Sequence, residues 1–142
     1  MRAAVTLAAL EEGRPIKAER LSDEQDIPLN FLENILNQLK AGGIVVSQRG
    51  PDGGFRLARD PTQISVADII RVVEGPLASV RGVRPHDLEF RGATEPLRDV
   101  WVAVRANLRA VLEAVTLADL VAGRLPPEVE RLAADPEAWL SR

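Results

Sequence analysis

From Pro28 to Ala41 the apolar positions Leu29, Leu32, Ile35, Leu36 and Leu39 recur at steps of three and four, which predicts an amphipathic helix. Pro28 suits the first helical position, and Gly42-Gly43 stops the run. Two shorter helices are predicted before it. One spans Ala3 to Leu10 and is ended by Gly13; the other spans Pro15 to Gln25, where Ile16, Ala18 and Leu21 can pack while Lys17, Glu19 and Arg20 face out. Its link to the next segment, Asp26-Ile27-Pro28, is brief, so the pair forms a helix-turn-helix. The period then changes. Ile44-Val45-Val46 and Phe55-Arg56-Leu57 are strand-like, and Pro51-Asp52-Gly53-Gly54 between them supplies the positive-φ positions of a tight hairpin turn.

Beyond the hairpin, Ser65-Val66-Ala67-Asp68 opens a helix through Glu74 in the manner of a capping box, and Gly75-Pro76 stops it. Residues 78–94, rich in Gly, Pro and Arg, form a loop, after which Thr94-Glu95-Pro96 caps a long helix. In that helix Leu97, Trp101, Val104, Leu108, Val111 and Val115 alternate steps of four and three, a heptad seam that Val100 and Leu112 widen. Trp139 with Leu140 is expected to anchor the tail, Pro126 to Arg142, onto the body. The fold class is therefore mainly α with a small β-hairpin. Its parts are a winged helix-turn-helix over residues 1–77, a loop over 78–94, a dimerisation helix region over 95–123 and a tail over 124–142.

The predicted surface chemistry lies on the second helix of the pair and on the hairpin. Asn30, Asn34 and Asn37 fall at i, i+4 and i+7, with Glu33, Gln38 and Lys40 nearby. Asparagine is a poor helix former, yet an amide can bond an adenine edge bidentately in a major groove. The alternative is a solvated polar face. The hairpin carries Gln48, Arg49, Gly50, Gly53, Gly54 and Arg56, and glycine lets a backbone approach phosphates while arginine is drawn to a minor groove. Alone it would read equally well as a surface turn; a recognition helix directly upstream gives it meaning.

Charge refines this picture. The 142 residues carry 18 basic and 21 acidic side chains, a net charge of −3, which counts against a strong non-specific nucleic-acid binder. The sum hides a segregation. From Lys40 to Arg59 there are four basic residues and one acidic, 4 − 1 = +3, whereas residues 110 to 142 carry three arginines and six carboxylates, 3 − 6 = −3. No apolar run approaches a membrane span and no signal peptide precedes the first helix, so a cytoplasmic location is expected, and the absence of cysteine fits a reducing compartment.

Four ordered blocks resemble the Rrf-two family of bacterial winged-helix transcriptional regulators. They are Ile27-Pro28-Leu29-Asn30-Phe31-Leu32-Glu33, then Gln48 through Leu57, Ile69 through Leu77, and Thr116-Leu117-Ala118-Asp119-Leu120. The resemblance implies that Arg49 lies at a wing reaching the minor groove, that Asn30, Glu33 and Asn34 lie on the recognition helix, and that two copies pair through the long helix. It implies double-stranded DNA and a second copy of the chain as partners. Three departures accompany it. Cluster-binding members place three cysteines between the winged domain and the long helix, and here residues 79–97 offer only His86, Asp87, Glu89 and Glu95, so no iron-sulfur cofactor is expected. Phe31 stands where many members have tyrosine. The abrupt start at Met1, where members have a further basic stretch, predicts that the first helix continues a longer native one.

Catalysis finds no support. His86 is a lone imidazole in a loop, Glu11 and Glu12 face different directions on a helix, and no phosphate loop, nucleophile elbow or metal cluster is present. The expected function is a homodimeric, sequence-specific repressor acting on a palindromic operator. Its signal would be a small molecule held between the 78–94 loop and the long helix near Trp101, or a partner protein on the acidic tail. The alternative is a winged-helix protein-interaction module without a DNA role.

Overall fold

In the computed structural model, which describes residues 1–10, 13–79, 82–84 and 87–140, there are seven α-helices and one hairpin, and the hairpin and five of the helices share one core. Helices α1 (Arg2–Ala9), α2 (Ala18–Gln25) and α3 (Leu29–Ala41) lead into strands β1 (Val45–Gln48) and β2 (Gly54–Leu57). Then come α4 (Val66–Glu74), α5 (Pro96–Ala114), α6 (Leu117–Ala122) and α7 (Pro127–Ala133). The leucine spacing of α3 works as its period dictates: Leu32, Leu36 and Leu39 are fully buried against Leu21, Ile44, Ile64, Ile69 and Leu117. Burying each such side chain contributes roughly 1.5–3 kcal/mol.

The turn between α2 and α3 is held by local polar bonds. Asp26 adopts a left-handed conformation (φ 49°) and donates its N–H to the Ser22 carbonyl, while the Ser22 hydroxyl donates to the Ile27 carbonyl at 2.6 Å. The short helix before that turn differs from expectation at its start. Helix α2 begins only at Ala18, because Ile16 is extended and exchanges two backbone hydrogen bonds with Phe55, 2.9 and 2.7 Å long. Ile16 thus bridges to β2 at Phe55, outside the two-stranded sheet, and covers that stretch of the β2 edge.

The chain also returns to the core earlier than expected. Helix α5 ends at Ala114; Val115 is extended, 6% exposed, and accepts the Val66 N–H. It therefore does not belong to the seam. Ser65 and Thr116 bridge antiparallel, and each opens a helix with a complete capping box, Ser65 with Asp68 and Thr116 with Asp119. Leu117 is fully buried, and α6 packs on α1. The span 95–123 is accordingly two things, an outlying helix and a segment that completes the winged body.

One cap and one anchor also change. The Thr94 hydroxyl donates to the Arg91 carbonyl at 2.9 Å and closes its own short turn, so α5 starts at Glu95-Pro96 without a side-chain cap. The tail folds on itself: the Trp139 indole N–H donates to the Ala133 carbonyl at 2.7 Å, at the end of α7 where carbonyls lack helical partners, and the ring is 78% exposed. It does not anchor the tail to the body. Glu11, Glu12 and His86 lie outside the described residues.

Candidate nucleic-acid interface

Because α3 buries the stripe Leu32, Leu36 and Leu39, its other faces are fixed by the helical period. Asn30, Glu33, Asn34, Asn37 and Lys40 are all exposed. Lys40 Nζ donates to the Ser47 hydroxyl at 2.7 Å, which ties the end of this polar face to the first strand of the wing. The hairpin pairs Val45 with Leu57 through Gln48 with Gly54, so Phe55 and Leu57 pack on the core while Gln48, Arg49 and Gly50 stand exposed at the tip.

The three wing glycines have different tasks. Gly50 (φ +109°) has nothing within 4 Å of where a Cβ would stand, so its backbone is open to a ligand. Gly53 is buried, and a Cβ there would meet the Gln48 carbonyl oxygen at 2.2 Å. Gly54 (φ +150°) would place a Cβ 2.3 Å from the Ile16 carbonyl oxygen. Gly53 and Gly54 therefore close the hairpin and seat it on residue 16, contrary to the expectation that they face DNA. Arg56 is half-buried beside them, and its Nη1 donates to the Leu57 carbonyl at 3.3 Å.

Four basic residues that the sequence reading left out of the site flank the wing. Arg14, Lys17 and Arg20 line a cleft of about 610 Å³ together with Pro51, Asp52 and Gly53. Arg14 also joins Arg56 and Arg59 along a second cleft, of about 560 Å³, at the base of the hairpin. The signal was present as three basic residues between positions 14 and 20. Only the strand contact at Ile16 brings them to the wing.

Away from this face, α5 presents its seam to solvent. Leu97, Val104 and Leu108 are 40–44% exposed and Trp101 38%, while Val111 is half-buried. Val100, Val104, Leu108, Val111 and Leu112 line an apolar groove of about 550 Å³. A cavity of about 570 Å³ beside the 78–94 loop is lined by Asp87, Glu89, Phe90, Arg91, Glu95 and Arg98, and Trp101 does not reach it. No helix among the described residues is long and apolar enough to cross a membrane.

A family model for Rrf2, described as an iron-dependent transcriptional regulator, matches residues 1–123. The chain is 47% identical to a protein of Mycobacterium tuberculosis named as an HTH-type transcriptional regulator, over 97% of this chain and 86% of that one. It is 31% identical to the HTH-type transcriptional regulator CymR of Bacillus subtilis, over 82% of this chain and 79% of the relative. The solved structure of B. subtilis CymR, the global cysteine regulator, superposes with a TM-score of 0.71 at 30% identity, covering 84% of this chain and 88% of that one. IscR of T. potens gives a TM-score of 0.67 at 30% identity over 99% and 85%. With the helix-turn-helix, the hairpin and the outlying helix in the order these relatives share, the chain belongs to the Rrf2 family of winged-helix, DNA-binding transcriptional regulators.

Proposed function

We propose that the protein is a homodimeric, sequence-specific repressor that binds a palindromic operator and works without an iron-sulfur cluster. The observation that carries the DNA reading is the continuity of two surfaces: the exposed amide face of α3 and the wing tip bearing Arg49, tied together by the Lys40–Ser47 bond. Asn30, Asn34 and Asn37 then read base edges in the major groove, and Arg49 enters the adjacent minor groove. Arg14, Lys17, Arg20 and Arg59 hold the phosphates on either side, which sets register and not sequence.

Pairing through α5 is supported by its exposed apolar groove, which a single winged body leaves uncovered. A twofold dimer spaces two α3 helices about one DNA turn apart, roughly 34 Å. As for iron, the family description raises a metal, and the residues present do not fit a thiolate-held cluster: the chain has no cysteine. Among the described residues no group of three or more His, Asp or Glu side chains is gathered to replace it. No step of the proposed mechanism runs through a cluster.

The net charge of −3 favours the second reading, a protein-interaction module without a DNA role. Selection of operators from genomic fragments, followed by gel shifts at two salt concentrations, separates the two. Sequence-selective, salt-sensitive binding supports the repressor; its absence in folded dimer leaves the interaction module.

A further inference from the structure

Apart from Met1, Phe31 is the one exposed large hydrophobic side chain among the described residues from 1 to 79, at 60%. Its neighbours on α3 behave otherwise: Leu29 and Ile35 pack against the core, and Leu32 is fully buried in it. A lone apolar side chain on a surface is common, so its place decides what it means.

Phe31 lies in the first turn of α3, and the first turn of a recognition helix is the part that meets base edges. At about 100° per residue it falls about 60° around the helix from Asn34 and about 20° from Gln38, both exposed. Lys40, bonded to Ser47 of the wing, lies on the opposite flank. Phe31 therefore borders the amide face on the side away from the wing. A phenyl ring carries no hydrogen-bonding atom, so it can bond neither a phosphate nor a polar base edge. The apolar group that base edges do offer in the major groove is the C5-methyl of thymine. In an A·T pair that methyl shares the groove with the adenine N6 and N7 that an asparagine reads.

We infer that Phe31 is a specificity-determining residue that packs on the methyl group of a thymine in each half-site, beside the adenine edge read by Asn34. The inference rests on the reading of α3 as the helix that reads the operator, and it adds an apolar contact that the amides cannot make. Asparagine recognises adenine by its donor and acceptor, whereas the ring recognises thymine by a methyl that cytosine and uracil lack. The contact also takes the exposed ring out of water, which is favourable wherever the methyl is present and less so where it is not. Deleting one such methyl should weaken binding roughly fourfold per half-site.

Gel shifts of the full-length protein on its selected operator test the assignment, with one thymine position at a time replaced in both half-sites by deoxyuridine, which pairs identically but lacks the methyl. At one position the wild type should lose about tenfold or more over the two half-sites. Phe31→Ala should bind the unmodified operator more weakly by a similar factor and be indifferent to deoxyuridine at that position, while Phe31→Leu, still apolar, should keep part of the discrimination. Because the ring lies outside the core, Phe31→Ala should melt at the wild-type Tm without DNA. Arg49→Ala, at the wing, should bind less tightly yet keep the full deoxyuridine penalty. A wild type with no such penalty, or a Phe31→Ala protein that keeps every penalty of the wild type, overturns the contact; weaker binding alone does not rescue it, since a ring resting on the sugar-phosphate backbone would give that result. Folded protein that selects no operator sinks the DNA-reading role of α3 and this contact with it, whereas selective binding without thymine-methyl dependence sinks the contact alone.

Discussion

Replacing Gly54 by Ala tests how the wing is seated. The residue sits at φ +150°, and the added methyl would stand 2.3 Å from the Ile16 carbonyl oxygen and 2.5 Å from its carbon. A non-glycine residue at such a φ costs on the order of 1–3 kcal/mol. The Ile16 backbone can retreat only by giving up its two bonds to Phe55, 2.9 and 2.7 Å long, each worth about 0.5–1.5 kcal/mol net. The total is about 2–6 kcal/mol, against a whole-domain stability of about 5–15. Gly50→Ala is the control. That position shares the positive φ but meets nothing within 4 Å, so only the conformational part applies, about 1–3 kcal/mol. Urea unfolding should rank the two variants in that order. Amide exchange should show Ile16 and Phe55 losing protection in Gly54→Ala while the α3 amides keep theirs, and operator affinity should fall with the displaced wing. Equal stability of the two variants, with protection at Ile16 retained, would refute the seating of the wing on residue 16.

Other expectations follow from the same geometry. Asn34→Ala should relax preference at one operator position by about 1–3 kcal/mol, whereas Arg14→Ala or Lys17→Ala should weaken all sequences alike and lower the salt slope by about one unit each; affinities for single-base operator variants at several salt concentrations separate these. Leu108→Glu with Val111→Glu should yield folded monomers by light scattering, while Val115→Ala should lower stability by about 1–3 kcal/mol without splitting the dimer, because Val115 lies in the core. The Asp119 carboxyl is held below its usual pKa by the Thr116 hydroxyl and then by the Thr116 N–H. A depressed pKa gives stability that is complete above the usual carboxylate range and is lost as pH falls through the folded value, so an acid titration followed by circular dichroism should lose part of its slope in Asp119→Asn. Protein reconstituted with iron and sulfide should show no visible absorption that survives gel filtration, since no thiolate is present to hold a cluster.

Period and punctuation decided most of the architecture. The leucine steps of α3, the capping box at Ser65 and the glycine-rich turn are local signals, read by contacts within a few residues, and each produced its element. The amide face of α3 followed from the same arithmetic, because the buried stripe leaves only one side for Asn30, Asn34 and Asn37. What the sequence could not contain was the pairing of distant segments. Ile16 has the composition of a helix position, yet Phe55, far along the chain, offers it a strand partner, and that contact gives Gly54 its task and brings Arg14, Lys17 and Arg20 to the wing. Val115 continues the seam's spacing but meets Val66 and turns inward, since a buried backbone must find hydrogen bonds and the isolated bridge between Ser65 and Thr116, flanked by Ile64 and Val66, supplies them. The arginines at 71, 105 and 109 are scattered in sequence, and only the packing of α4 against α5 gathers them beside one cavity.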